Sequence, residues 1–181
     1  MLFRSDGARL DSFRRSNIGK ISNEQIVIAP QVDSGKWMDI IDDLREDLAK
    51  IRSVDCSKEN FTCVYLIDDF TASGTSLLRF SKKTSEYKGK IHRFKKSLQE
   101  ARSKLDNEIF DDGWDLNIHH YVGTEKAKTA IEQRLKEAFP KAEPGWAPNI
   151  QITFGAILQE SCCLDQKSGD PFVDICKKYY D

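Results

Sequence analysis

Between Lys36 and Ile51 the apolar positions Trp37, Ile40, Ile41, Leu44, Leu48 and Ile51 recur at helix period, while Asp39, Asp42, Asp43, Arg45 and Glu46 fall largely on the other face. The spacing predicts an amphipathic helix. The pattern then changes: FTCVYLI, Phe61 to Ile67, is β-branched and aromatic without alternation, as a central parallel strand covered on both faces should be. After a short polar loop, Leu77, Leu78 and Phe80 predict the start of a helix, and Ile91, Phe94, Leu98, Ala101 and Leu105 predict another over Lys90 to Asn107. DLNIHHYVG, Asp115 to Gly123, reads as a strand, and Thr124 caps a helix that carries Ala127, Ala130, Ile131, Leu135 and Ala138. Pro140, Pro144 and Pro148 break the chain before a last strand, NIQITFGAIL. The beginning is less regular. MLFRSDGARLDSFRR opens on a very short apolar piece, breaks at Asp6-Gly7 and resumes with Leu10 and Phe13 at helical spacing. SNEQIVIAP has a capping-box-like Ser22 and Gln25 but only a brief apolar run ending at Pro30, so it takes no assignment.

Strands separated by helices imply parallel pairing with right-handed crossovers, hence an α/β fold: a three-layer sandwich around a mainly parallel central sheet. The 181 residues suit one domain, 1–181, large enough to bury a core. Hydrophobic residues make up 39% and charged residues 31%, too many aromatics and aliphatics for a disordered chain. A formal net charge of -1 excludes bulk electrostatic capture of nucleic acid and leaves it open as a partner only through a local basic patch. The stretch Lys82 to Lys104 holds nine Lys or Arg against two Glu, but its apolar stripe assigns those charges to the solvated face of a packed helix. Five cysteines without a C-x-x-C pair read as reduced thiols of a cytoplasmic protein. No apolar stretch approaches a membrane span, so no membrane partner is expected.

The chemistry concentrates in CVYLIDDFTASGTSLLRF, Cys63 to Phe80. Asp68 and Asp69 follow a strand-like run and precede a small, hydroxyl-rich loop, Thr71 to Ser76, at the carboxyl end of a central strand where open α/β sheets bind ligands. The loop offers consecutive backbone N–H groups, a glycine where the chain comes close or turns sharply, and a helix start behind it, a combination suited to a phosphate monoester. Carboxylates do not bind phosphate; they accept hydrogen bonds from vicinal hydroxyls or hold Mg²⁺. A ribose 5-phosphate satisfies both halves.

VYLIDDFTASGTS resembles the phosphoribosyl-pyrophosphate signature of type I phosphoribosyltransferases: apolar residues, an acidic pair, then a small-residue phosphate loop. The resemblance implies that Asp68 and Asp69 meet the ribose hydroxyls and support Mg²⁺, while Thr71, Ala72, Ser73, Gly74, Thr75 and Ser76 wrap the 5-phosphate. Ala72 stands where enzymes acting on hypoxanthine and guanine have an acidic residue, which removes one candidate general base. Such enzymes displace pyrophosphate at the anomeric carbon through an oxocarbenium-like transition state, where positioning and charge stabilisation dominate. LFRSDGARLD is the candidate for the family's pyrophosphate loop, with Gly7 supplying backbone freedom and Arg9 the charge. A strand and helix that precede this loop in the family are missing, so truncation at both ends is expected, with residues 159–181 beginning a C-terminal extension. SDGARLDSFRRSN, IHHYVGTEKA and DPFVDICKKYYD look more like the divergent phosphoribosyltransferase-like domains of bacterial anti-phage conflict systems, which implies a defence-system protein partner. The rival expectations are a non-catalytic nucleotide sensor and an interaction module with a vestigial site.

Three other features have plainer readings. His119 and His120 point to opposite sides of a strand, one toward the core and satisfied by a hydrogen bond, with His120 nearer the carboxyl end and the better site candidate. The Cys162-Cys163 pair has no cationic neighbour that would make a thiol reactive. Trp146, in EPGWAPN, is a candidate for stacking on a base.

Overall fold

The computed structural model describes residues 2–4, 10–22, 25–27, 32–105, 109–139, 146–147, 149–162 and 171–180. In chain order the elements are β1 (Leu2–Arg4), α1 (Leu10–Ser16), β2 (Ile26–Val27), α2 (Ser34–Arg52), β3 (Phe61–Thr71), β4 (Arg79–Ser81), β5 (Glu86–Lys88), α3 (Lys90–Arg102), β6 (Phe110–Thr124), α4 (Glu125–Ala138), β7 (Asn149–Leu158) and α5 (Pro171–Tyr180). Five strands form one parallel sheet in the order β2-β1-β3-β6-β7, and β4 pairs antiparallel with β5 in a separate hairpin. The chain steps outward from β1 to β2, returns across β1 to β3, and continues through β6 to β7. With right-handed crossovers this reversal sends α1 to one face and α2, α3 and α4 to the other. Two apolar clusters follow from it. The larger joins Trp37, Ile40, Phe94, Leu98 and Ile131 of the helices to Val64, Leu66, Leu116 and Ile118 of β3 and β6. The smaller gathers Ile26 and Ile67 with Phe13 and Ile21. The α/β sandwich read from the pattern is the fold.

Local chemistry accounts for the helix ends. The Asp33 side chain accepts the Lys36 amide at 2.9 Å and starts α2, and Ser53 ends it in the left-handed conformation with φ 55°. Thr124 caps α4 as expected, its hydroxyl accepting the Ala127 amide at 3.0 Å. Large aromatics fill the centre: Phe110 stacks on Trp114 with centroids 4.5 Å apart, and Phe94 stands between Trp37, Trp114 and Trp146. Trp146 is therefore a core residue at 5% exposure, packed also on Phe139, and is not available to stack on a base.

The helix expected to begin at Leu77 is not present. Leu77 and Leu78 are buried in the main cluster, and the chain then enters the β4–β5 hairpin, where Phe80 packs on Tyr87 at 5.2 Å. The three apolar residues Leu77, Leu78 and Phe80 are too short a stripe to sustain a helix, and the charged turn through Lys82 and Lys83 ends the pattern. The helical segment starts only at Lys90. At the far edge, β7 is hydrogen-bonded to β6 alone among the described residues, and its ten residues carry no charge.

Candidate functional site

β3 does not stop at Ile67 but runs through the acidic pair to Thr71. Successive residues of a strand face opposite sides, so Asp68 and Asp69 diverge. Asp68 joins Val64 and Leu66 on the face of α2, α3 and α4 and is 8% exposed, whereas Asp69 is half-buried on the other face. One Asp68 carboxylate oxygen, Oδ1, accepts the Asp69 amide at 3.1 Å. The other, Oδ2, accepts from the Lys90 ammonium at 2.5 Å. Two diverging carboxylates, one already held by a cation, do not fit the shared Mg²⁺ site expected from the sequence. Among the described residues no group of three His, Cys, Asp or Glu side chains is placed to hold a metal.

His120 stands opposite Asp68 in the β3–β6 ladder, with Nε2 3.8 Å from Oδ2. Its ring is fully buried, stacks on Phe154 with centroids 5.6 Å apart, and neither nitrogen has a hydrogen-bond partner. The two histidines do face opposite sides, and His119 Nδ1 is 2.8 Å from the Thr153 hydroxyl, but the core-facing ring is not hydrogen-bonded as expected. Burial lowers the His120 pKa to about 4, with Asp68 opposing and Lys90 and His119 adding to the shift. A histidine neutral in the fold and free to protonate when unfolded leaves stability intact above the unfolded value and removes it as pH falls from about 6.5 to about 4. The unfolding free energy should drop over that window, by about 2 kcal/mol at pH 5, read from denaturation midpoints, and His120→Phe should flatten the dependence.

The loop between Thr71 and Leu78 is held from behind. Thr124 Oγ1 donates to the Ala72 carbonyl at 2.7 Å, Arg134 to that of Ser73 at 2.9 Å, and Arg79 to that of Thr75 at 3.2 Å. The carbonyls of Ser76 and Leu77 accept the first α3 amides, those of Lys90 and Ile91, at 3.1 and 3.2 Å. That helix end meets the loop, but with its leading amides engaged, unlike the free helix start expected directly behind it. The Gly74 amide donates to Thr71 Oγ1 at 3.0 Å. Ala72, Ser73, Thr75 and Ser76 remain exposed, and the amides of Ser73, Thr75 and Ser76 have no partner among the described residues.

Gly74 serves packing as well as turning. It has φ +69°, and an added Cβ would lie 2.3 Å from Ile131 Cγ1. Gly74→Val should therefore lower stability by about 2 kcal/mol or more, read as a fall in Tm, through left-handed strain and a clash with α4.

Gly7 and Arg9 lie outside the described residues. β1, which leads toward them, runs parallel beside β3 with Arg4 opposite Ile67, so its carboxyl end adjoins the acidic pair. Lys90 escaped the sequence reading: it sits in a basic run, and its contact with Asp68 spans 22 residues. Comparison with protein-family models, curated proteins and solved structures finds no match to this chain.

Proposed function

We propose that the crevice at the carboxyl ends of β1 and β3 binds a 5-phosphoribosyl ligand, phosphoribosyl pyrophosphate or a nucleotide, as in phosphoribosyltransferase-like proteins. The observation that carries this reading is the position of the loop. It leaves β3 at the point where the strand order reverses, the place at which doubly wound sheets take ligands, and it presents the unpaired amides of Ser73, Thr75 and Ser76 to solvent. These amides hold the 5-phosphate, Asp69 accepts ribose hydroxyls, and the Gly7–Arg9 segment after β1 takes the pyrophosphate. Mg²⁺ belongs to the proposal only as the counter-ion a pyrophosphate brings with it. The resemblance of SDGARLDSFRRSN, IHHYVGTEKA and DPFVDICKKYYD adds an anti-phage setting with a protein partner, and the reduced cysteines a cytoplasmic one; no described helix is long and apolar enough to cross a membrane.

One observation favours the non-catalytic sensor over the transferase. Asp68 is engaged by Lys90 and by its own strand, so the pair does not present two carboxylates side by side to a sugar. Calorimetric titration with phosphoribosyl pyrophosphate and with ribose 5-phosphate tests the reading. Both should bind, and Asp69→Asn should weaken each about tenfold through a lost charge-assisted hydrogen bond. Absence of heat with either ligand refutes the site. Pyrophosphate release on adding a nucleobase makes the protein an enzyme; binding without release makes it a sensor.

A further inference from the structure

The Asp68, Lys90 and His120 cluster lies at the carboxyl end of the two central strands, and its geometry bears on the cation that an acidic pair beside a phosphate loop would require. Lys90 is the first residue of α3. Its backbone amide is tied to the Ser76 carbonyl of the loop, and its ammonium reaches Asp68 Oδ2. Gly89 before it fixes this placement: φ is +126°, and a Cβ there would lie 2.4 Å from the Leu77 carbonyl oxygen, so the helix start is pressed against the loop. Lys90 is thus tied through its backbone amide to the loop and through its ammonium to the buried carboxylate. With a fifth of the Lys90 side chain exposed, at 21%, it still faces the solvent side of the site. His120 closes the far side of the carboxylate with a buried ring, Nε2 3.8 Å from Oδ2, whose two nitrogens have no hydrogen-bond partner.

We infer that Lys90 takes the place of the divalent cation at Asp68, neutralising the carboxylate and offering its remaining N–H donors to an anionic ligand on the Thr71–Ser76 loop, so that the site binds a sugar phosphate without metal. The inference rests on the ligand-binding reading above for its second half; the first half concerns the protein alone. An ammonium has three donors, of which Asp68 Oδ2 uses one, and phosphate oxygens are natural partners for the others. A hard cation such as Mg²⁺ seeks several oxygen ligands in octahedral array, and at Asp68 it would have to displace an ion pair at a place where no three His, Cys, Asp or Glu side chains converge among the described residues.

Two titrations test this, and they fail separately. In the first, Mn²⁺ alone is added to the protein and its uptake followed by electron paramagnetic resonance. Wild type should show no Asp68-dependent uptake, whereas Lys90→Met, which frees the carboxylate, should bind Mn²⁺ at least about tenfold more tightly, and Asp68→Asn added to it should abolish the gain. Uptake by wild type that vanishes in Asp68→Asn overturns the inference, whatever the ligand result. In the second, ribose 5-phosphate is titrated in EDTA and in Mg²⁺. Wild-type affinity should be the same in both, Lys90→Arg should keep it, and Lys90→Met should lose about tenfold or more in EDTA. A wild-type affinity that collapses in EDTA overturns the inference while leaving the ligand site standing. No binding under either condition instead refutes the site and the ligand half, and the Mn²⁺ result then decides what Lys90 does.

Discussion

Phe94→Ala is expected to lower the unfolding free energy by about 3–5 kcal/mol, the range for deleting a buried phenyl ring where the surroundings cannot collapse. Phe94 has no exposed surface, and its ring lies 6.2 Å from Trp37, 6.3 Å from Trp114 and 6.0 Å from Trp146. Those neighbours come from α2, β6 and the segment before β7, each anchored elsewhere, so the vacated space stays open. Since a domain of this kind holds only about 5–15 kcal/mol in total, much of the margin would go. Urea denaturation should show an earlier midpoint with an unchanged slope; a loss below about 1 kcal/mol would show that the aromatic cluster is not the main stabilising unit.

The second large effect is expected at the ion pair. Removing one partner of a largely buried pair leaves the other charge stranded, and the usual loss of about 3–5 kcal/mol is reduced where solvent reaches the survivor. The Asp68 side chain is 12% exposed and that of Lys90 21%, so Asp68→Ala should destabilise by about 2–3 kcal/mol. Adding Lys90→Met should restore much of that, since an apolar side chain needs no counter-charge. A double-mutant cycle by chemical denaturation should give a coupling of about 1–3 kcal/mol. Simple additivity of the two losses would mean that the contact contributes nothing, and that Asp68 acts through its bond to the Asp69 amide.

Long periodic elements were legible in the sequence. α2 and α4 appear close to their expected bounds, and β7 coincides with NIQITFGAIL, because each carries enough turns or residues for its period to show. β1 and β2, of 3 and 2 residues, are too short to carry any pattern; β1 exists because β3 offers it a ladder and β2 because β1 does, which is tertiary information. The candidate site divides in the same way. The loop string could be read directly, but the strand was taken to end at Ile67, which allowed both carboxylates to converge. A strand that continues four residues further to Thr71 sends them to opposite faces by the same alternation that organises the core. Lys90 could not be found from spacing, since its place at Asp68 depends on a hairpin and a pressed glycine that only the folded chain reveals.

The two edges of the sheet meet solvent on unequal terms. On one side β2 is too short to template much, while on the other β7 extends for ten uncharged residues with its outer ladder open among the described residues. Natural edge strands are usually protected by lysine, proline or a bulge, and NIQITFGAIL has neither residue and keeps unbroken pairing register with β6 through Ile152. Among the described residues, an extended chain that comes alongside β7 would continue the ladder without meeting a like charge on that strand.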